Sequence, residues 1–315
     1  MIYQFGCIRG ACSSFADQVA TQAVRALITE VCITPKPGLV DRANNGAHTD
    51  MDIFTFVDSS LALFSYFRDI TAYSLTYDGG CDGLLSKLVP RGIQAEQEML
   101  LATGGVNTHK GAIFSLGVLC AAVAIVAKQT DIAEEVALQD ACITLVAGRA
   151  RTNTQLVNDV TNGARIYAQY GISGALGEAA AGFPHVFALA LPRFREQIKR
   201  GDTIETAGVV ALLHLITQVD DTNIIARCGV ETLREVQAMV SGTLEELSKG
   251  QSAVRYRSYA IELDSMFIQR GISPGGCADL LAATLLIDAL FPQDKTLSAS
   301  YNETKSEKKY DEIAL

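Results

Sequence analysis

A run of seventeen uncharged residues, from Gly111 to Ala127, is the feature that most constrains how this chain can fold. It lies between Lys110 and Lys128 and is rich in alanine and glycine. As an α-helix it would be about 25 Å long at a rise of 1.5 Å per residue. That is shorter than the roughly 30 Å hydrocarbon core of a membrane. We therefore interpret the run as a fully buried central helix, which other helices must surround.

Apolar residues recur at helical spacing along nearly the whole chain. Segments with such a face span residues 15–33, 53–72, 84–102, 109–128, 131–149, 154–170, 185–199, 204–219, 222–240, 253–270 and 276–291. No convincing run of alternating apolar and polar residues, typical of a strand, is present. The pattern predicts an all-α fold, a single large multi-helix bundle of about ten to thirteen helices with no significant sheet.

The length of 315 residues allows either one large domain or two ordinary ones. No long linker rich in proline, glycine or serine divides the chain before residue 292. We therefore expect one all-α domain over residues 1–292. Residues 293–315 are polar and charged, and we expect them to form a disordered C-terminal tail.

Composition and charge narrow the function classes. The chain is 49% hydrophobic and 19% charged, which excludes disorder of the whole chain. The net charge is −9 and no basic stripe occurs, so we expect no nucleic-acid partner. The eight cysteines include no CxxC pair, and the N-terminus has no signal-peptide pattern. These features favour a cytoplasmic protein that does not use a membrane.

Five segments interrupt the helical pattern with glycine, proline and polar residues. The first covers residues 34–50, where two prolines and a glycine impose a rigid non-helical backbone. It presents Lys36, Asp41, Arg42, His48 and Asp50. This segment is either a ligand-binding loop or an ordinary polar loop between helices.

The second segment, residues 104–111, leads directly into the apolar run. It contains Asn107, Thr108, His109 and Lys110. Free N–H groups at a helix N-terminus attract anions, and a lysine there is unfavourable unless an anion is near. A bound phosphate would remove that conflict. The alternative is a glycine helix end followed by a Thr108 N-cap and a solvated lysine.

Two further segments, residues 174–182 and 273–281, each place one acid among small residues. These acids are Glu178 and Asp279. Small neighbours let other backbones pack close to a carboxylate, and partial burial would raise its pKa. Either acid could instead lie on a solvent-exposed helix face. His185, just after Pro184, could be an ordinary residue at a helix start.

The remaining segment is Asp220-Asp221-Thr222-Asn223, which directly follows an apolar run. Two acids at a helix C-terminus oppose the helix dipole, and a cation such as Mg²⁺ would compensate them. Asp221 could also cap the next helix, and both roles can hold together. Jointly, the five segments fit chemistry on a magnesium-bound nucleotide, but the residues alone do not name the reaction.

In these segments the sequence resembles the triphosphoribosyl-dephospho-CoA synthases. The motifs that carry the resemblance are TPKPGLVDRANNGAHTDMD, GVNTHKGAIFSLGVLCAA, RTNTQLVND, GALGEAAAGFPHVFALALP, DDTNIIARCG and SPGGCADLLAATLL. They run in order from about residue 16 to residue 291, and the first two are long and specific.

The resemblance implies an all-α transferase that forms 2′-(5″-triphosphoribosyl)-3′-dephospho-CoA and adenine from ATP and 3′-dephospho-CoA. The product would be the precursor of the citrate lyase prosthetic group, or serve malonate decarboxylase in a sister branch. A later transferase would attach it to an acyl carrier subunit. Mg²⁺ is the expected cofactor, and a homo-oligomer is compatible with this implied function.

The implied reaction assigns roles to the residues of the five segments. Glu178 is the first choice of general base, followed by Asp41 and Asp279. Substrate binding falls to Lys36, Arg42, His48, Asn107, Thr108, His109, Lys110 and Asn223, of which Lys36, His109 and Lys110 would hold phosphates. Asp50, Asp220 and Asp221 would bind Mg²⁺ or ribose.

The sequence leaves open two alternative functions of other classes. A magnesium-dependent nucleotide or ADP-ribose-type hydrolase on a helical bundle would use water in place of the dephospho-CoA hydroxyl. A non-enzymatic membrane or partner-binding helical protein would use the apolar run of residues 111–127.

Overall fold

The computed structural model describes residues 3–4, 12–130, 132–152, 162–250 and 253–292. The α-helices are α1 Cys12–Cys32, α2 Ile53–Ala62, α3 Phe64–Thr76, α4 Cys81–Ala102, α5 Lys110–Gln129, α6 Glu135–Thr152, α7 Asn162–Tyr170, α8 Gly174–Ala180, α9 Leu191–Lys199, α10 Ile204–Gln218, α11 Thr222–Cys228, α12 Val230–Gly250, α13 Ala253–Arg270 and α14 Gly275–Leu290. A π-helical segment, His185–Ala190, precedes α9. Two-residue strands, β1 Tyr3–Gln4 and β2 Ile132–Ala133, pair antiparallel. The all-α prediction is confirmed.

Two of the predicted helical segments each contain two helices. Segment 53–72 divides at Leu63, between α2 and α3. Segment 222–240 divides at Gly229, whose φ of 90° lies in the left-handed region that glycine adopts most easily. Asp221 caps α11 with its side chain, as the sequence allowed. The predicted tail, residues 293–315, lies outside the described residues.

Helix α5 lies at the centre of the bundle, as predicted. It packs against α3, α6 and α14. Nearly all of its residues from Ala112 to Ala127 are buried. An uncharged helix of this kind gains stability from burial over its whole circumference.

Length and composition alone would also let α5 cross a membrane. Within the described residues, two bent helix pairs pass the same test if each is taken as one span. They are Gly174–Ala180 with His185–Lys199, bent by 77°, and Ile204–Gln218 with Thr222–Cys228, bent by 64°. In the protein, 78% of the apolar window of α5 is buried against other helices.

Two more buried helices, α10 and α14, extend the core. Helix α14 packs against α1, α5 and α10, and one continuous core cluster contains residues from α1 through α14. The first turn of α14 also touches the N-terminal ends of α5 and α11. The Asp279 carboxylate lies against Gly111, and the Cys277 N–H donates to Asp221 over 2.9 Å. Three helix N-termini therefore meet in one place.

The loop between α1 and α2 is fixed by a carboxylate from far along the chain. Asp264 of α13 accepts hydrogen bonds from the Gly38 N–H at 2.8 Å and from the Asn44 side-chain amide at 2.9 Å. Gly38 has φ 68°, and a Cβ there would lie 2.1 Å from the carbonyl oxygen of Ile272. Backbone conformation and space both require glycine at this position.

We expect Gly38→Ala to destabilise the protein by about 3 kcal/mol or more, because strain in φ and a clash with rigid backbone add together. Gly201→Ala is the matched control, since Gly201 has φ 89° but nothing within 4 Å of the added Cβ. That control should lose about 1 kcal/mol, from φ strain alone. Urea unfolding of both variants measures the difference. Equal losses would show that the loop has room to relax.

Candidate active site

A large cavity lies where the N-termini of α5, α11 and α14 meet. Its volume is about 2020 Å³, whereas a pocket for one drug-sized ligand is about 300–1,000 Å³. Eleven of the fourteen predicted site residues line it: Lys36, His48, Asn107, Thr108, His109, Lys110, Glu178, Asp220, Asp221, Asn223 and Asp279. Asp41, Arg42 and Asp50 do not. In four of the five segments, all the predicted site residues therefore line this cavity. In the first segment only Lys36 and His48 do.

Lys36 is a buried lysine that pairs with Glu30, an acid that was not predicted from the sequence as a site residue. Its Nζ lies 2.5 Å from Glu30 Oε1, and both side chains are almost fully buried. Burial raises the pKa of Glu30, and the nearby Lys36 charge opposes that rise. The pair forms one wall of the cavity. Its ammonium group therefore already has an anionic partner before any ligand binds.

Asp41 holds the loop together and does not reach the cavity. Its carboxylate accepts three backbone N–H groups: Lys36 at 2.9 Å, Ala43 at 2.6 Å and Asn44 at 3.2 Å. These contacts occupy the oxygens that a general base would need. The geometry does not support the suggestion that Asp41 is a base.

Arg42 and Asp50 also lie outside the cavity. The Arg42 guanidinium donates to the Cys32 carbonyl oxygen at 2.7 Å and pairs with Glu205 on α10. Asp50 is exposed, and its carboxylate lies 3.7 Å from His48 Nδ1. Arg42 therefore anchors the loop to α10. Asp50 contacts His48 and does not line the cavity in which a ligand would bind.

His48 is the residue of the first loop that faces α14. Its Nε2 lies 2.8 Å from the Ser273 hydroxyl. Burial, with the neighbouring Arg227 charge, lowers the pKa of His48. Arg227 itself donates to the Ala47 carbonyl oxygen at 2.6 Å and so fixes the end of the loop.

The segment before α5 forms a polar edge of the cavity. Asn107 Oδ1 accepts from the Lys110 N–H at 3.2 Å, which satisfies one free donor of the helix N-terminus. Lys110 Nζ lies 2.8 Å from Glu96 Oε2 of α4. The carboxylate that compensates this lysine is therefore part of the protein. Lys110 remains exposed, as the alternative interpretation expected, and it also has an ionic partner.

Glu178 and His185 form a close pair on the wall made by α8. Glu178 Oε2 lies 2.6 Å from His185 Nδ1, and Oε1 accepts the His185 backbone N–H at 2.9 Å. The hydrogen bond to Glu178 raises the pKa of His185, while burial opposes the rise. The sequence predicted Glu178 among small residues but did not predict its partner.

The backbone that folds His185 onto Glu178 is strained. Phe183 is fully buried and has φ 55°, which a bulky residue rarely adopts. The π-helical segment begins two residues later, at His185. Strained residues and π-helical turns are concentrated at functional sites, because the surrounding structure must support their cost. The pair is therefore a built feature of the cavity.

Asp220 and Asp221 have different surroundings. Asp221 is buried, and its oxygens accept the N–H groups of Asn223 at 2.8 Å, Ile224 at 3.2 Å and Cys277 at 2.9 Å. Burial raises the pKa of Asp221, and these hydrogen bonds oppose the rise. Asp220 is partly exposed and lies 2.5 Å from Arg234 Nη1. Of the two, Asp220 is the one that a ligand can reach.

Asp279 lies against the start of α5 at a position that only glycine permits. A Cβ on Gly111 would be 2.0 Å from Asp279 Oδ2. The carboxyl accepts a hydrogen bond from Ala112 N–H, but burial and then the charges of Asp221 and Glu30 raise its pKa well above the ordinary range. A carboxyl in this environment favours its protonated form.

Several residues that line the cavity were not predicted from the sequence. They are Glu30, Arg165, Arg227 and Arg234, together with Tyr167 and Tyr170 on the exposed helix α7. Only Arg227 lay inside a recognised motif. The motif RTNTQLVND falls mostly on residues 153–161, which lie outside the described residues.

Comparison with known proteins agrees with the resemblance in the motifs. The family model described as ATP:dephospho-CoA triphosphoribosyl transferase matches residues 16–296. A probable 2-(5''-triphosphoribosyl)-3'-dephosphocoenzyme-A synthase of Vibrio cholerae is 42% identical over 271 residues, covering 84% of this chain and 85% of the relative. The synthase of Pectobacterium atrosepticum is 39% identical over 272 residues, covering 84% and 87%.

A third relative gives the same result. A probable synthase of that name from Streptococcus equi is 38% identical over 286 residues, covering 85% of this chain and 95% of the relative. No solved structure matches significantly. The chain is thus an enzyme, a transferase, and it belongs to the ATP:dephospho-CoA triphosphoribosyl transferase family.

Proposed function

We propose that this enzyme joins the 2′-hydroxyl of 3′-dephospho-CoA to C1′ of the ATP ribose and releases adenine with the triphosphate intact. The observation that carries this proposal is the Glu178–His185 pair, with its 2.6 Å contact, in a cavity of about 2020 Å³. The cavity has the volume for two nucleotides. The pair supplies a proton acceptor for a hydroxyl nucleophile.

In this mechanism His185 is the base and Glu178 positions it. Both Glu178 oxygens are engaged by His185, so the carboxylate fixes the ring and its tautomer. Ring nitrogen Nε2 is then left to accept the proton of the 2′-hydroxyl. This changes the expectation from sequence, in which Glu178 itself was the first choice.

The bond changes follow a direct displacement. The 2′-oxygen forms a bond to C1′ while the C1′–N9 bond breaks and its electron pair moves onto adenine. The hydroxyl proton passes to His185, which later releases it to solvent, and the departing adenine takes up one proton from solvent. Positive charge develops on the ribose in such a reaction. Carboxylates of the cavity wall, Asp220 and Asp221 among them, favour that charge.

Mg²⁺ is the proposed cofactor, and the donor set fits a nucleotide-bound ion. Within the described ranges, no three Asp, Glu, His or Cys side chains could hold a metal by themselves. Mg²⁺ bound to phosphates needs only one or two carboxylates, and Asp220, which a ligand can reach, lines the cavity. The cavity has six carboxylates against five Lys and Arg side chains. Mg²⁺ would supply positive charge for the triphosphate.

We propose further that the product is a prosthetic-group precursor, which a later transferase attaches to an acyl carrier subunit of citrate lyase or of malonate decarboxylase. The sequence motifs support this assignment through the family resemblance.

The reaction itself is tested by incubating the enzyme with ATP, Mg²⁺ and 3′-dephospho-CoA and separating the products by chromatography. We expect free adenine and a triphosphoribosylated dephospho-CoA in equal amounts. Adenine should not form when dephospho-CoA is omitted or replaced by its 2′-deoxy analogue. Release of phosphate or ADP would identify a hydrolase instead.

The role of His185 is tested by the pH dependence of kcat/KM. The base acts when deprotonated, so turnover should rise as the pH rises through the His185 pKa, which Glu178 raises above its usual 6.5. Glu178→Gln should move this limb to lower pH and reduce the plateau. His185→Gln should remove the limb and lower turnover by about 10²-fold or more.

His214→Gln is the matched control for that experiment, because His214 is the one histidine that does not line the cavity. The rise of kcat/KM with pH in this variant should coincide with that of the unmodified enzyme. An unchanged limb in Glu178→Gln would mean that another group takes the proton.

The magnesium proposal predicts that EDTA abolishes adenine release and that Mg²⁺ restores it. Asp220→Asn should raise the Mg²⁺ concentration for half-maximal activity by about tenfold, through loss of one carboxylate oxygen. Asp69→Asn, which alters an exposed pair with Arg68, is the control and should not change it. Full activity in EDTA would contradict the proposal.

A further inference from the structure

The His109 ring has a buried nitrogen, Nε2, that the described part of the protein leaves without a hydrogen-bond partner. The residue is only 3% exposed and lines the cavity. Its Nε2 is buried and has no hydrogen-bond partner among the described residues. An unmet buried donor or acceptor destabilises the protein, because it has lost its hydrogen bonds to water. A ligand that pairs with Nε2 would recover that free energy.

The other ring nitrogen is held by a chain of two hydroxyls. Thr108 Oγ1 donates to Ser59 Oγ at 2.7 Å, and Ser59 Oγ lies 2.6 Å from His109 Nδ1. Ser59 accepts from Thr108 and has its own hydrogen available to donate to Nδ1. Nδ1 is then the acceptor, and Nε2 carries the hydrogen of the neutral ring.

The ring is also fixed in position and in charge. Phe56 contacts it edge to face, with centroids 5.1 Å apart, and the His109 backbone N–H points to Met99 Sδ at 3.2 Å. Burial, then the nearby Lys36 charge, lowers the pKa of His109 to about 3. The ring is therefore neutral and held in one orientation.

The walls around His109 favour a flat, uncharged ligand over a phosphate. Val40, Met51 and Phe56 form a small apolar cluster and line this end of the cavity. The nearest ammonium, that of Lys36, is already paired with Glu30 at 2.5 Å. Small-molecule sites usually combine apolar walls with a few well-placed polar groups. Apolar walls and one polar ring nitrogen suit a heteroaromatic ring.

We propose that this end of the cavity binds the adenine ring of ATP and that His109 Nε2–H donates a hydrogen bond to a ring nitrogen of adenine. This inference rests on the proposed function, because it locates one substrate of that reaction. When the C1′–N9 bond breaks, the electron pair moves onto the adenine ring, and the donor stabilises it. His109 keeps its own proton in this step.

The test compares ATP with its 1-deaza, 3-deaza and 7-deaza analogues, each of which replaces one ring acceptor by CH. In the unmodified enzyme one analogue should lose about tenfold in kcat/KM, the effect of one hydrogen bond. In His109→Phe, which keeps a ring beside Phe56, that analogue and ATP should react equally well. His109→Gln offers an amide donor near the Nε2 position and should restore part of the discrimination.

An analogue loss of equal size in the unmodified enzyme and in His109→Phe would overturn the proposal, as would the absence of any discrimination. If His109→Phe does not fold, Ser59→Ala serves instead. This variant removes the hydroxyl that contacts His109 Nδ1, so the ring can change its tautomer. The discrimination between ATP and the deaza analogue should then also fall.

Calorimetry with free adenine and with inorganic tripolyphosphate separates this proposal from the reaction. His109→Phe should weaken adenine binding about tenfold and leave tripolyphosphate binding unchanged. The reverse pattern would place phosphate at His109 and overturn the proposal. If the unmodified enzyme releases no adenine in the presence of dephospho-CoA, the proposed function fails, but adenine binding still decides the subsite.

Discussion

The contact between Asp279 and the first turn of α5 is the constraint on which the site depends. A buried helix must satisfy its first N–H groups inside the protein. Here the Ala112 N–H does so by donating to Asp279, and Gly111 leaves the space for that carboxyl. Helix α14 is thereby fixed at the N-terminus of α5. Its Cys277 N–H in turn fixes Asp221 and α11.

Two histidines of the cavity lining have opposite properties. His185 is partly exposed, and the Glu178 carboxylate raises its pKa. His109 is buried among apolar side chains with a cation nearby, and its pKa falls to about 3. One ring is suited to accept a proton and the other to donate a hydrogen bond while it remains neutral. The presence of both rings in one cavity matches the proposed reaction, in which a hydroxyl is deprotonated and a base departs.

The balance of charge in the cavity bears on how an acidic protein would bind the two proposed phosphate-bearing substrates. Lys36, Lys110 and Arg234 each have a carboxylate partner within the protein. Such pairs hold the cations in position, but they also reduce the field available to a phosphate. The proposed Mg²⁺ supplies the charge that these paired cations do not.

Sequence patterns predicted the features that depend on local composition. The uncharged run predicted a buried α5, and small residues around Glu178 and Asp279 predicted acids close to other backbones. Features that depend on distant partners could not be predicted. Asp41 became a loop anchor because backbone N–H groups surround it. The neutrality of His109 depends on burial and on Lys36, and its tautomer on Ser59, fifty residues earlier in the chain.

The central claim is that His185 receives the proton of the dephospho-CoA hydroxyl in a cavity shared by both substrates. A structure of the enzyme with 3′-dephospho-CoA and a C-nucleoside analogue of ATP, whose C–C glycosidic bond cannot break, tests it most directly. We expect the 2′-oxygen about 3 Å from His185 Nε2, within hydrogen-bond reach. A 2′-oxygen bound to another side chain, or substrates bound outside this cavity, would contradict it.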